Sequence, residues 1–336
     1  MATVTIDARD AAGPRLRGWG RYTRELVAGL RRHAEGIEID ALEAGGPGPE
    51  LLFEQLALPR HLGRTGADLV HAPNCFLPLR RPCPGVVTIH DLAFEVHPED
   101  FSRRTGWKYR TFTPRAARSA ERVICVSEHT RDDVCERYGV DPGRTRVVLS
   151  APTLPLGDEP PPEGPYLLAI GDLRRKKNLP RLVSAFRALH AEGIPHRLVL
   201  AGMAGSAAER IRAVAGDAPV ELPGYVPDGR LDAMIRGADL LVYPSLYEGF
   251  GLAVVEAMAR GCPVAASNAT ALPEAGGHAA AYFDPEDEDD MASVIRDVLA
   301  DPDRRARMAE LGRERAAQLT WERTARETAA VYRELL

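Results

Sequence analysis

Short apolar runs alternate along this chain with amphipathic stretches, and the runs are the right length for buried strands. The runs that predict strands are Val4–Ile6, Leu69–His71, Gly85–Ile89, Arg122–Val126, Tyr166–Ile170, Arg197–Leu200, Val220–Leu222, Leu240–Tyr243 and Pro263–Ala266. Strands separated by helical patterns are typical of βαβ units and parallel sheets. The pattern therefore predicts an α/β protein rather than a sandwich or a helical bundle.

Helical periodicity is clearest after the fifth strand, where Leu179, Leu182, Val183, Phe186 and Leu189 share one face. Asn178 stands at the expected N-cap and Pro180 lies in the first turn, as at many helix starts. Three further helices are predicted over Arg21–His33, Arg304–Gln318 and Trp321–Leu336.

Proline and glycine concentrate between residues 151 and 165, which favours neither a helix nor a central strand. We interpret this stretch as a linker between two Rossmann-like doubly wound domains that face each other across a cleft. The predicted boundaries are residues 1–155, 156–318 and, for a terminal helix, 319–336. A length of 336 residues suits two domains better than one.

The composition of the chain argues against several classes of function. The net charge of −5 argues against a general nucleic-acid binder, and no apolar run approaches the ~20 residues that cross a bilayer. The five cysteines form no Cys-x-x-Cys pair and no histidine cluster accompanies them, so we expect neither a metal site nor a disulfide framework. A cytoplasmic location is the default expectation.

The segment from Tyr243 to Met258 is the most informative. Gly249-Phe250-Gly251 follows a predicted strand and precedes a helix beginning near Leu252, with Glu248 before the turn and Glu256 eight positions later. Free N–H groups at a helix start attract a phosphate, and acidic residues nearby accept hydrogen bonds from hydroxyls. The alternative is a plain strand-turn-helix with one surface glutamate and one favoured by the helix dipole.

A basic turn runs from Gly171 to Asn178 and holds Lys176 and Lys177, two of only three lysines in a chain that otherwise uses arginine. Compact ammonium groups near a helix start suit a diphosphate, whereas a solvated basic turn is the simpler alternative.

Two segments of the first half are weaker signals. His90 follows a buried strand, where a histidine is most often structural and held by a backbone partner. Gly18 and Gly20 form a lone Gly-x-Gly that a tight turn explains equally well.

The run Glu-Gly-Phe-Gly-Leu, the second glutamate eight residues on, and Ala-Met-Ala-Arg-Gly-Cys-Pro-Val after it resemble the signature of retaining GT-B glycosyltransferases of family 4. The resemblance implies that Lys177, and Lys176 in place of the usual arginine, contact the donor diphosphate. It further implies that Gly249, Phe250, Gly251 and Leu252 bind phosphate and sugar through their backbone. Glu256 would hold the ribose and Glu248 the sugar hydroxyls.

In the N-terminal half the same resemblance implies that His90 reaches the transferred sugar and that Gly18 and Gly20 close over the donor phosphates. Val226 lies in a segment similar to the loop that holds the base, and Trp321–Leu336 matches a helix that crosses back onto the N-terminal domain. By the same resemblance, residues 1–155 form the acceptor domain and residues 156–318 the nucleotide-sugar donor domain.

The resemblance implies a retaining hexosyltransferase, with His90, Lys177 and Glu248 nearest the chemistry. Because the sequence shows no metal-ligand cluster and no residue that must be a covalent nucleophile, we expect a front-face route without a metal or other cofactor. We expect mannose as the sugar and GDP-mannose as the donor, with a saccharide, lipid-linked or small-molecule acceptor. Two alternatives share every donor-side feature: a pseudo-glycosyltransferase, and an epimerase-like enzyme that modifies the nucleotide sugar itself. The sequence does not indicate an oligomeric state.

From Phe101 to Arg122 there are seven cations, one acid and the aromatic residues Trp107, Tyr109 and Phe112. This composition suits peripheral docking on an anionic inner membrane face, and a solvated helical face is the alternative.

Overall fold

The computed structural model describes residues 1–13, 16, 18–44, 49–205 and 207–336. Two compact units divide the chain: unit 1 comprises Met1–Thr153 and Leu319–Leu336, and unit 2 comprises Leu154–Gln318. The division after Thr153 lies two residues before the boundary that the sequence predicts. Residues 149–165 contain neither helix nor strand, as a proline-rich linker requires.

Unit 1 is built on a parallel sheet of six strands in the order β2-β1-β3-β4-β5-β6. Its strands are β1 (Ala2–Asp7), β2 (Ile37–Leu42), β3 (Leu69–Ala72), β4 (Gly85–Ile89), β5 (Arg122–Cys125) and β6 (Thr145–Val147). The helices that precede the linker are α1 (Gly18–His33), α2 (Glu50–Leu52), α3 (Leu58–Thr65), α4 (Ala93–Val96), α5 (Arg103–Ser119) and α6 (Glu128–Tyr138). A π-helical turn, Phe53–Ala57, joins α2 to α3.

Unit 2 repeats the architecture with the order β12-β11-β10-β7-β8-β9, again all parallel. Its strands are β7 (Tyr166–Ile170), β8 (Arg197–Ala201), β9 (Val220–Gly224), β10 (Leu240–Tyr243), β11 (Val264–Ser267) and β12 (Ala281–Phe283). Its helices are α7 (Leu179–Ala191), α8 (Ala208–Ala215), α9 (Asp228–Gly237), α10 (Leu252–Ala259), α11 (Leu272–Gly276), α12 (Glu288–Ala300) and α13 (Pro302–Ala317).

Central strands of both sheets are apolar at consecutive positions because helices cover both faces. Leu240, Leu241 and Val242 of β10 are fully buried, and so are Val86 and Val87 of β4. The predicted α7 stripe lies in the core of unit 2, where Leu182, Val183, Phe186 and Leu189 are fully buried. Apolar burial therefore fixes the strands whose ends carry the candidate site.

The last helix, α14 (Trp321–Arg333), belongs to unit 1 and packs against α1. Gly29 allows the close approach, since a Cβ there would lie 2.9 Å from the Cβ of Ala325. Trp321 Nε1 donates to the Pro152 carbonyl at 2.9 Å, and Tyr332 OH lies 2.6 Å from Nδ1 of the buried His71. The terminal helix is thus held to the N-terminal unit at both of its ends.

Two details that the sequence predicted, the side-chain cap of α7 and the start of α1, are wrong. Asn178 has a left-handed backbone (φ 55°) and does not cap α7 with its side chain, which instead donates to the Pro285 carbonyl at 2.6 Å. Helix α1 begins at Gly18 rather than Arg21, so Gly18 and Gly20 lie inside the helix and not in a turn before it.

Candidate functional site

The order of strands in unit 2 reverses between β7 and β10, which are hydrogen-bonded neighbours. Ligands of doubly wound sheets bind outside the carboxyl ends of strands at such a switch point. The loop after β7 begins at Gly171 and contains the lysine pair, and the loop after β10 contains Glu248. The two strongest sequence motifs therefore meet at the place where the topology expects a ligand.

Glycine lets the loop after β7 fold tightly. Gly171 has φ 143°, and a Cβ there would lie 2.9 Å from Cε of Lys177. A turn of 3-10 helix over Arg175–Lys177 then directs the chain into α7. The Lys176 carbonyl accepts from the N–H of Leu246 at 2.8 Å, so the backbone itself joins the two loops.

Three predicted residues come together here. Lys177 Nζ donates to Glu248 Oε1 at 2.5 Å, and Lys176 Nζ lies 3.8 Å from Glu248 Oε2. All three side chains are between 10% and 14% exposed, so the cluster is largely shielded from water. Two ammonium groups against one carboxylate leave an excess positive charge, which suits a bound anion.

Electrostatics hold Glu248 in its ionised form. Burial by itself raises the pKa of Glu248, but the charges of Lys176 and Lys177 and the hydrogen bond from Lys177 outweigh it and lower the pKa to about 2. The carboxylate therefore stays charged throughout the physiological range and can only accept hydrogen bonds.

A helix start adjoins the cluster. Gly251 has φ 111°, and α10 begins at Leu252 as the sequence predicts. A Cβ on Gly251 would lie 2.8 Å from the Leu272 side chain, so glycine is required there by both conformation and space. Phe250 is buried, and Gly249 precedes it in the same turn. Backbone N–H groups at this helix start are placed to receive an anion.

The remaining donor-side residues lie further along the unit. Glu256 is in the second turn of α10, is 6% exposed, and its carbonyl accepts from Arg260 Nη1 at 3.2 Å. Val226 follows β9, the edge strand, and β8 separates β9 from β7.

His90 follows β4 in unit 1 and is 8% exposed. Its Nε2 lies 2.7 Å from the Pro73 carbonyl, and its ring stacks on Trp19 with centroids 5.4 Å apart. Burial lowers the pKa of His90 to about 4, so the ring is neutral at pH 7. Because a carbonyl can only accept, Nε2 carries the proton and Nδ1 is the acceptor.

The glycines of α1 have different surroundings. Gly18 is exposed at the first position of the helix, whereas Gly20 is buried against the chain before it. A Cβ on Gly20 would lie 2.3 Å from the Asp10 carbonyl oxygen, so only glycine allows this contact.

Two contacting residues were not predicted. Tyr243 is 4% exposed, and its hydroxyl lies 2.6 Å from Lys177 Nζ and 3.3 Å from Glu248 Oε1. Thr270 adopts φ 56°, which is unusual for a β-branched residue, and its hydroxyl accepts from the N–H of Glu248 at 3.0 Å. The position of Tyr243 at a strand's carboxyl end was a usable signal, but nothing in the sequence marks the backbone of Thr270.

Comparison with known families covers both units. Residues 157–315 match the family described as glycosyl transferases group 1, and residues 46–150 match glycosyltransferase family 4.

Two relatives and one solved structure are similar over most of the chain. O-antigen chain mannosyltransferase B of Escherichia coli is 30% identical over 79% of this chain and 74% of its own. The MMP α-(1→4)-mannosyltransferase of Mycolicibacterium hassiacum is 30% identical over 86% of this chain and 76% of its own. Sucrose-phosphate synthase of Thermosynechococcus elongatus superimposes over 100% of this chain and 99% of its own, with a TM-score of 0.76 and 24% identity. The chain therefore belongs to glycosyltransferase family 4, has the GT-B fold and is a hexosyltransferase.

Proposed function

We propose that this enzyme transfers mannose, with retention of configuration, from GDP-mannose to an acceptor hydroxyl. The observation that carries the proposal is the shielded cluster of Lys176, Lys177 and Glu248 beside the start of α10. The two relatives named above are mannosyltransferases, which supports mannose as the sugar.

The lysine pair and the helix start would hold the diphosphate. Its negative charge grows as the bond to the sugar breaks, and preorganised cations stabilise such charge most when water is excluded. We assign this neutralisation to Lys176 and Lys177 rather than to a divalent cation. Tyr243 and Glu248 hold Lys177 in place before the donor arrives.

Glu248 would accept hydrogen bonds from the hydroxyls of the transferred sugar, because it remains ionised. Glu256, early in α10, would accept from the ribose hydroxyls, and Val226 would contact the base. His90 would accept from a sugar hydroxyl through Nδ1, since its ring is neutral and cannot act as a general acid near pH 7. We place Gly18 and Gly20 beside the donor phosphates.

In the front-face route that we propose, the acceptor oxygen bonds to the anomeric carbon as the carbon–oxygen bond to the diphosphate breaks. The acceptor proton passes to the departing diphosphate oxygen, so the reaction needs no covalent nucleophile. All atoms and charges balance between a nucleotide sugar plus an alcohol and a glycoside plus a nucleoside diphosphate.

The direct test is incubation with GDP-, UDP-, ADP- and dTDP-sugars and a mixture of acceptor glycosides, with and without EDTA. Proton NMR of the product reads the anomeric configuration. The proposal expects GDP-mannose to be consumed, with an α-mannoside as product and no loss in EDTA. A β-linked product would overturn retention of configuration, and loss of activity in EDTA would overturn metal independence. A changed sugar released without acceptor would overturn glycosyl transfer itself.

We further propose that unit 1 docks on an anionic membrane face through α5. Trp107 is 55% exposed, and Arg103, Arg104, Arg110, Arg115 and Arg118 are exposed on a helix without acidic residues. Among the described residues, no helix is long and apolar enough to span a bilayer. Co-sedimentation with phosphatidylglycerol vesicles should decrease in Trp107→Ala and not in Arg187→Met; equal binding to neutral vesicles would exclude the electrostatic part.

A further inference from the structure

Trp19 is a large aromatic residue in the first turn of α1, where it stands between two glycines. Gly20 lets this turn lie against the preceding chain, since a Cβ at position 20 would meet the Asp10 carbonyl oxygen. The indole ring of Trp19 is half-buried and lies against His90, the residue that follows β4. The turn therefore places a large ring on the side chain that the proposed function assigns to the sugar.

Three contacts restrain the imidazole ring of His90. The indole of Trp19 stacks on it, with centroids 5.4 Å apart and planes 17° from parallel. Tyr22, which is buried one turn further along α1, meets it at 4.7 Å and at an angle of 88°. His90 Nε2 donates to the Pro73 carbonyl at 2.7 Å. The ring is thus held by one stacked ring, one perpendicular ring and one hydrogen bond.

Trp19 is itself held by an aromatic cluster of unit 1. The ring centroid of Tyr109, in α5, is 5.6 Å from that of Trp19. Tyr109 packs in turn on Phe76 at 4.7 Å and on Phe94 at 5.1 Å, and both phenylalanines are buried. The indole is therefore anchored to the core of the unit and can serve as a fixed surface for His90.

A histidine needs such restraint when one of its nitrogens has to meet a ligand. The torsion between Cβ and the ring has broad, roughly two-fold minima, so the side chain alone does not fix where Nδ1 points. Rotation of the ring would break the bond to Pro73 and leave a buried donor unpaired. It would also turn the imidazole out of its near-parallel contact with Trp19, one of the arrangements that ring pairs favour.

The stacked indole also keeps water from the imidazole. Burial is the largest cause of the low pKa of His90, about 4 against an ordinary 6.5, and the bond to Pro73 and the charge of Asp91 oppose it. His71 and Cys75 are further titratable neighbours. The neutral ring keeps Nδ1 as a hydrogen-bond acceptor at physiological pH.

We infer that Trp19 is a positioning residue, which holds the imidazole of His90 in one orientation so that Nδ1 faces the transferred sugar. The inference rests on the proposed function, because it needs His90 to meet the sugar. Trp19 then acts only through His90, and position 19 requires an aromatic ring rather than apolar bulk alone.

The first test measures hydrolysis of GDP-mannose, in which water replaces the acceptor and acceptor binding plays no part. Trp19→Leu should lower the turnover rate by about 10–100-fold, the scale of losing the alignment of one group. Trp19→Phe, which keeps a ring able to stack, should stay within about threefold of wild type. The calorimetric affinity for GDP should be unchanged in both variants, and circular dichroism verifies that each is folded.

The same assay separates a positioning role from a structural one through the double variant. His90→Gln should lower turnover at least as much as Trp19→Leu, and Trp19→Leu/His90→Gln should lower it no further. If the two losses multiply, or if Trp19→Leu matches wild type while His90→Gln does not, the inference is wrong and the proposed function stands. If His90→Gln itself matches wild type, the proposed role of His90 is wrong and the inference falls with it.

The second test needs no destabilising variant. A protonated imidazole quenches the fluorescence of an indole stacked on it, and the difference between wild type and Trp19→Phe isolates the emission of Trp19. Between pH 8 and pH 5 this difference should stay constant, because the pKa of His90 is about 4. A quenching midpoint near 6.5, the ordinary pKa, would show a ring open to water and would overturn the inference.

Discussion

The contact between Lys177 and Glu248 leads to a quantitative prediction. The pKa of Glu248 is lowered to about 2 from its ordinary value of 4.5, although burial alone would raise it. A difference of that size corresponds to about 3 kcal/mol that favours the ionised carboxylate in the folded protein at neutral pH. Because both side chains are nearly buried, water does little to screen the pair.

Removal of one partner leaves the other charge buried and unpaired. Lys177→Met and Glu248→Gln should therefore each reduce the free energy of unfolding by about 3 kcal/mol. The double variant should lose less than the two single losses together, with a coupling of about 1–3 kcal/mol. The exposed pair Arg296–Glu192, also in unit 2, is the matched control and should show no measurable coupling.

Urea unfolding at pH 7 without ligand, followed by circular dichroism, measures these changes. Trp19, Trp107 and Trp321 all lie in unit 1, so tryptophan fluorescence identifies the transition of that unit separately. If the single losses simply add, the two side chains do not depend on each other, and the role of Glu248 in holding Lys177 is wrong.

Two further predictions concern unit 1. The pKa of His71 is lowered to about 3 and that of His90 to about 4, chiefly by burial, so the unfolded chain binds more protons below pH 6.5. The tryptophan-monitored free energy of unfolding should be fully retained above pH 6.5 and fall by about 2 kcal/mol per histidine at pH 5; a flat profile would contradict this. Gly20→Ala should lower the free energy of unfolding by about 1–3 kcal/mol, because the added Cβ would clash with the Asp10 carbonyl. Gly63→Ala in α3, where the Cβ meets open space, should be neutral or stabilising. Thermal melts of the two variants measure the difference.

The sequence pattern predicted the strands and helices whose apolar side chains are buried in the core. Strands β7 and β10 have the bounds expected from their apolar runs, and α10 begins after Gly251 as the turn chemistry indicated. The short strands β2, β6 and β12 were not predicted, because three to six residues on the outer part of a sheet carry little periodic signal.

The sequence singled out Lys177 and Glu248 separately and did not predict that they contact each other. Lys177 and Glu248 are 71 residues apart, and they meet only because β7 and β10 are neighbours in the sheet. The role of Glu248 toward sugar hydroxyls stays a prediction, and the structure adds that its carboxylate contacts Lys177 and Tyr243. Tertiary topology, which local pattern does not encode, supplies that pairing.

The central claim is that Lys177 binds the donor diphosphate. Calorimetric titration with GDP and with guanosine tests it most directly, because the difference between the two affinities measures the contribution of the diphosphate. The wild-type enzyme should bind GDP far more tightly than guanosine. In Lys177→Met the GDP affinity should fall by about tenfold or more while guanosine binding is unchanged. Arg187→Met, which removes an exposed charge from the same unit, should behave as wild type. An unaltered GDP affinity in Lys177→Met would contradict the account.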